Sequence, residues 1–185
     1  DMIGRPFSVK CVAFCLLMTV CFVDAGFGIS PRTFFRASGV QGGLIVHVGC
    51  GDGRLTAGLR HNQRFLVHGL DTDPQRVDQA RSYIRSLGIY GPVAVDAFDG
   101  VHLPYVNDSV NLLILQSGAN VSSQELVRVL APNGQAFIAP QAEVHGLQNL
   151  AVEAVSNMEG WNRVVKPERT NVDQWTHFLH DASGN

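Results

Sequence analysis

The residues with the most chemical content recur at the ends of apolar runs. Gly49-Cys50-Gly51-Asp52-Gly53 follows Leu44-Ile45-Val46-His47-Val48, Asp71 closes Arg64–Leu70, and Asp96 closes Pro92-Val93-Ala94-Val95. Glycines let a chain turn sharply and let a ligand lie against backbone N–H groups, and a helix N-terminus behind them favours an anionic group. Asp71, 18 residues beyond Gly53, can accept both hydroxyls of a ribose, and Asp96 can accept from the exocyclic amine of an adenine. Each has a plainer reading alone: a glycine makes a tight strand-to-helix turn, and a strand-end aspartate caps a helix. The spacing also discriminates between cofactors. A dinucleotide fingerprint G-x-G-x-x-G needs glycine at position 54, which is Arg54, so a nicotinamide-dependent oxidoreductase is disfavoured.

These residues need elements to position them, and from residue 44 onward short apolar runs alternate with amphipathic stretches. A helix can open at Arg54. Pro74 opens another through about Leu87, with Val77, Ala80, Tyr83, Ile84 and Leu87 at helical spacing. Val110–Leu115 reads as a strand buried on both faces. Ser122 or Ser123 caps a helix carrying Leu126, Val127, Val129 and Leu130, which Pro132-Asn133-Gly134 stops, and Gln135–Ala139 is a fifth strand. Leu147–Met158 reads as a last helix and Trp161–Lys166 as a sixth strand. Repeated strand–helix units predict a three-layer α/β fold, a doubly wound and mostly parallel sheet with helices on both faces. In such a sheet ligands bind beyond the carboxyl ends of the strands, where Gly49–Gly53, Asp71, Asp96 and the loop around Gln116 all fall.

The order G-x-G-x-G, with Asp71 and Asp96 in register, resembles the class I S-adenosylmethionine-dependent methyltransferases. The resemblance extends through V-H-V-G-C-G-D-G (46–53), H-G-L-D-T-D-P (68–74), V-D-A-F-D-G-V-H-L-P-Y (95–105), N-D-S-V-N-L-L (107–113) and E-L-V-R-V-L-A-P-N-G (125–134). It implies a Rossmann-like sheet, with a reduced C-terminal strand pair, that binds S-adenosylmethionine and passes its methyl group to a small-molecule acceptor. It assigns Gly49, Gly51 and Gly53 to the methionine part of the cofactor and Asp71 to the ribose. Asp96, with the backbone of Ala97, takes the adenine; Leu70 and Thr72 flank the adenosine, Phe98 stacks near it, and Gln116 stands beside the methyl group. Cys50 occupies a point of the motif where a small buried residue is common. One departure matters: the family usually carries Asp or Glu, which helps hold the cofactor's ammonium, where this chain has His47. A neutral imidazole there can accept one hydrogen bond, whereas a protonated one would repel ammonium and sulfonium alike. Asn111 likewise replaces a frequent Asp.

The remaining histidines are weaker candidates. His102 and His145 lie in loops near the ligand edge, where each is either a general base or a solvated loop residue. His177 and His180 are spaced as a helix-borne metal pair, without a third ligand. No metal site is expected.

The 185 residues, 45% hydrophobic and 16% charged with formal net charge −2, suffice for one ordinary core. With no basic run, nucleic acid is excluded as a main partner. Arg5 and Lys10 precede and flank an apolar stretch at residues 11–23, followed by Val23-Asp24-Ala25, the order of a secretory signal. The stretch is shorter than the roughly 20 residues of a membrane span. The expected organisation is therefore a signal peptide at 1–25, an N-terminal arm at 26–43 with Phe27, Phe34 and Phe35 either as a lid or packed on the sheet, a methyltransferase-like domain at 44–168, and a junction at 169–185. Export would place the mature chain in the periplasm or outside the cell, with no stable membrane span after cleavage and with Cys50 as its sole cysteine. The aromatic tail Asp173–Asn185 resembles the junction in exported planctomycete-type proteins where such a domain precedes a quinoprotein-like β-propeller, and Asp1 before Met2 agrees with a piece of a longer frame. On that reading the alternative function is a degenerate, non-catalytic module of a propeller protein.

Overall fold

The computed structural model describes residues 29–116 and 118–168. The expected signal peptide, Phe27, the tail and the His177/His180 pair lie outside the described residues. Seven strands form one sheet in the order β3-β2-β1-β4-β5-β7-β6, with β1 (Gly43–Val48), β2 (Phe65–Asp71), β3 (Val93–Ala97), β4 (Val110–Leu115), β5 (Leu130–Ile138), β6 (Val152–Ala154) and β7 (Asn162–Val165). The first five run parallel, and β7 is antiparallel to both β5 and β6. The expected doubly wound, mostly parallel sheet is therefore present, with its last two strands short. No described helix is long and apolar enough to cross a membrane.

One face of the sheet carries α1 (Pro31–Ser38), α2 (Arg54–Gly58) and α3 (Pro74–Ser86). In α3 the N-cap Asp73 accepts from the Gln75 N–H at 2.9 Å and Pro74 opens the first turn, so two independent start signals agree. Val77, Ala80 and Ile84 then fall on one stripe and are buried. Phe34 of α1 is fully buried, edge-on to Phe137 and Trp161, while Phe35 packs on Phe65 and His61. Of the two readings of the arm, these two aromatics take the packed one.

The other face carries α4 (Ser123–Val129), capped by Ser122, whose hydroxyl accepts from the Glu125 N–H. Leu126 and Val129 join Val46, Val48, Leu113 and Leu115 in a second core. Glu125 also accepts from the Leu103 N–H, and Arg128 donates to the carbonyls of Leu103 and Tyr105. The pair thereby pins the loop after β3, and the Arg128 hydrogen bond holds the Glu125 carboxyl below its usual range.

Two expectations fail. The helix ends at Val129, and Leu130 already pairs with Val110 before a register irregularity leads into Leu112↔Gln135, so β5 begins five residues earlier than Gln135. The expected last helix over Leu147–Met158 is instead a single 3-10 turn at Leu147–Asn149, β6, and a tight connection into β7. Glu153 stands opposite Arg163 and pairs with it, and the turn is closed by Met158 N–H to Val155 O and Trp161 N–H to Met158 O, each at 3.0 Å. This hairpin buries both Met158 and Trp161 against the Phe34 face, which outweighs the weak helical spacing.

Candidate functional site

The chain winds from β1 out to β3 on one side and resumes at β4 on the other side of β1. The carboxyl ends of β1 and β4 therefore diverge into a crevice at this switch point. A cleft of about 390 Å³ opens beside it, lined from four strand ends: Thr72 after β2, Asp99–Val101 after β3, Gly118–Asn120 after β4, and Gln141 with Glu143 after β5.

The glycine loop is held from inside. The N–H groups of Gly49 and Cys50 donate to the Leu70 carbonyl at 2.8 and 3.1 Å, that of Gly53 to Cys50 O at 3.0 Å, and that of Gly51 to Asp71 Oδ2 at 3.0 Å. These donors, which the sequence offers to a ligand, are thus engaged within the fold, and the five-residue α2 behind them has only a small dipole. The glycines serve shape. Gly53 has φ +80°, and a Cβ on it would lie 2.9 Å from the Ala80 Cβ; Gly51 has φ +54° with open space above it. Cys50 is buried in the same core, and burial pushes its thiol up to about 12, so it is no nucleophile.

Asp71 is almost fully buried and accepts from Gly51 N–H through one oxygen and from Asp73 N–H, at 3.1 Å, through the other. Each oxygen keeps a second lone pair, the capacity a vicinal diol requires. Asp96 lies one strand further out and is half exposed. It accepts from Arg81 through Oδ1 and from His68 Nε2 through Oδ2 at 3.0 Å, and His68 Nδ1 in turn accepts from the Tyr105 hydroxyl at 2.7 Å. Partial burial works against the Asp96 charge, but the Arg81 and His68 hydrogen bonds outweigh it and hold the carboxyl below its usual range. Burial pushes the Tyr105 hydroxyl upward, so it stays protonated. Ala97 is exposed beside Asp96, and Phe98, half-buried, packs toward the second core, with its N–H on Asp71 O. Thr72 donates to the Gly118 carbonyl at 3.1 Å, tying the β2 and β4 loops together across the cleft.

His47 sits at the floor between β1, β2 and β4, opposite Gly69 and Ile114. It is fully buried, with Nδ1 2.8 Å from Thr56 Oγ1 and Nε2 2.8 Å from Gln116 Oε1. Burial lowers its pKa to about 4 against the opposing pull of Gln116 and Asp71, so the ring is neutral at physiological pH. Asn111 serves the fold, since its Oδ1 accepts from the Leu44 N–H at 2.9 Å at the foot of β1.

His102 is exposed and pairs with Asp99, whose carboxyl is drawn down to about 2, first by the His102 N–H; His145 is exposed and its carbonyl accepts from Ser123. Neither touches His47, Asp71 or Asp96. Among the described residues no cluster of three or more His, Cys, Asp or Glu could hold a metal ion. Thr56, Arg81 and Tyr105 escaped sequence reasoning. For Thr56 the available signal was its place in the first turn after the glycine loop, the turn that must face β1.

Known proteins share this fold. Residues 45–134 match the family model described as a methyltransferase domain. The chain is 30% identical over 122 residues to the methyltransferase GfsG of Streptomyces halstedii; this covers 63% of the chain and 44% of that protein, so the chain spans under half the length of this relative. Among solved structures it superposes with TM-score 0.61 on a Methanococcus maripaludis protein assigned to the S-adenosyl-L-methionine-dependent methyltransferases, at 13% identity over 77% of this chain and 85% of that one. It superposes with TM-score 0.51 on the geranyl diphosphate C-methyltransferase of Streptomyces coelicolor, solved with S-adenosyl-L-homocysteine, at 18% identity over 58% and 43% of the two chains. The fold is that of the class I methyltransferases.

Proposed function

We propose that this domain binds S-adenosylmethionine and transfers its methyl group to a small-molecule acceptor. The observation that carries the reading is the placing of Asp71 and Asp96 at the ends of neighbouring strands, one residue apart in register and each with lone pairs to spare, beside a glycine loop whose outer surface is open at Gly51. When bound, the cofactor supplies an electrophilic methyl on a sulfonium. Asp71 would take the ribose hydroxyls and Asp96 the adenine amine, and Thr72, Ala97 and Phe98 would border the adenosine. Gly49, Gly51 and Gly53 would leave room for the methionine part, and Gln116 would stand beside the methyl. The protein's own contribution is to hold donor and acceptor in line and exclude water. Calorimetric titration of the folded protein with S-adenosylmethionine and S-adenosylhomocysteine is the test; absence of binding to both removes the reading.

A second reading, a non-catalytic module, is favoured by His47, whose two ring nitrogens are both engaged where the family usually has a carboxylate. Binding of cofactor without methyl transfer to any acceptor in extracts of the source cells would favour it. Export and a following β-propeller belong to the same proposal and rest on the sequence of residues 1–25 and 169–185. Mass spectrometry of the mature N-terminus and the reading frame beyond Asn185 test them.

A further inference from the structure

His68 and Asp96 stand on neighbouring strands and on the same face of the sheet. His68 is level with Ala94 and Leu70 with Asp96, so the imidazole reaches the carboxylate along a diagonal. Chemistry fixes the hydrogen on that bridge. Asp96 is held ionised and only accepts, so whether the ring is neutral or protonated, Nε2 carries a hydrogen and donates it to Oδ2. On the far side of the ring the Tyr105 hydroxyl lies 2.7 Å from Nδ1, and the two rings meet edge to face at 5.7 Å. Tyr105 is itself tied down, because its carbonyl accepts from Arg128, which pairs with Glu125 on the same helix. Arg81 holds the other side of the carboxylate, with its Nε on the Val95 carbonyl and a terminal nitrogen on Oδ1. Both oxygens are thus restrained by different elements. The side chain is nevertheless 54% exposed, which leaves its remaining lone pairs open to a ligand.

We infer that His68 and Tyr105 are positioning residues for Asp96: they fix the orientation of its carboxylate, and the selection of a 6-amino purine by that carboxylate depends on them. A carboxylate free to rotate about its Cβ–Cγ bond loses that freedom on meeting an amine. One restrained at both oxygens has lost it before the ligand arrives. The inference rests on the cofactor reading above, which gives Asp96 the adenine amine, and extends it to two residues that act through Asp96.

The experiment is calorimetric titration with two probes: S-adenosylhomocysteine and its 6-desamino analogue, in which hydrogen replaces the exocyclic amine. Loss of the amine should cost the wild-type protein about tenfold or more in affinity. In His68→Leu the same loss should cost about threefold or less. Tyr105→Phe should give an intermediate cost, a comparison that stands even where His68→Leu does not fold. His68→Gln, whose amide N–H can replace that of Nε2, should restore the wild-type cost. A side chain needed only for packing would weaken both probes alike and leave their ratio unchanged. An unchanged ratio in the folded variants, or one that His68→Gln does not restore, overturns the inference and leaves the cofactor reading standing. The carboxyl carbon-13 shift of Asp96 supplies a readout without ligand. Asp96 should titrate at higher pH in His68→Leu than in wild type, and an unmoved titration likewise overturns the inference. If folded wild-type protein binds neither probe, the cofactor reading falls and this inference falls with it.

Discussion

Asp71 and Gly51 are joined across the top of the sheet: the N–H of Gly51, at the crest of the glycine loop, donates to Asp71 Oδ2 at the end of the neighbouring strand. The two features that a sequence presents as separate ligand contacts are thus one mechanical unit, in which the carboxylate sets the height of the loop.

Asp71→Asn keeps one acceptor oxygen and replaces the other with a donor, so either the Gly51 or the Asp73 N–H loses its partner. A loss of about 1–3 kcal/mol in unfolding free energy is expected from chemical denaturation. Cofactor affinity should fall further than stability alone accounts for. Full affinity in the folded variant would remove Asp71 from the ligand site.

Gly53 and Gly51 separate strain from space. Alanine at 53 meets both a left-handed φ of +80° and the Ala80 Cβ at 2.9 Å, where α2 approaches α3; alanine at 51 meets only φ +54°. Gly51→Ala should cost about 1 kcal/mol, and Gly53→Ala about 2–4 kcal/mol, by thermal or urea denaturation. Equal costs would mean that the α2–α3 approach is loose.

His47 gives the domain an acid-sensitive core. Its folded-state pKa is lowered to about 4 from 6.5, so between these values the unfolded chain binds the extra proton. The contribution is complete above about pH 6.5 and is lost as pH falls toward 4, by about 3 kcal/mol in total. Denaturation midpoints of wild type and His47→Gln, compared at pH 7 and pH 4.5, should differ in slope accordingly. Parallel pH profiles would count against a buried neutral ring.

Arg81→Met frees one oxygen of Asp96. The pair is largely solvent-facing, so stability should change by less than about 1 kcal/mol. The Asp96 carboxyl, however, should titrate at higher pH, as followed by its carboxyl carbon shift. No movement would show that His68 alone sets it.

Much of this fold was legible because local and long-range signals in the chain coincide. Val110–Leu115 is apolar at nearly every position and is a strand flanked on both sides; Asp73-Pro74 starts a helix by two independent devices; the ends of β1, β2 and β3 carry Gly49, Asp71 and Asp96 where the spacing puts them. The hairpin after residue 150 was not legible. Its strands are three and four residues long, and its register is set by partners in β5 and by burial of Trp161 on Phe34, contacts that no local window contains. At the site, residue types were readable but their pairing was not. His47 looked like a vacancy left by a carboxylate, yet the polar groups it meets, Thr56 and Gln116, lie 9 and 69 positions away.

The short β6 and β7 pair also bears on self-association. A sheet left open at both ends offers unsatisfied ladders to any neighbouring chain. Among the described residues the outermost strand on one side is only three residues long and carries the Glu153–Arg163 ion pair on its first rung inward, while the outermost strand on the other side carries, near its end, Asp96 clasped by Arg81. Each margin meets an approaching strand with bound charge and little length on which to zip.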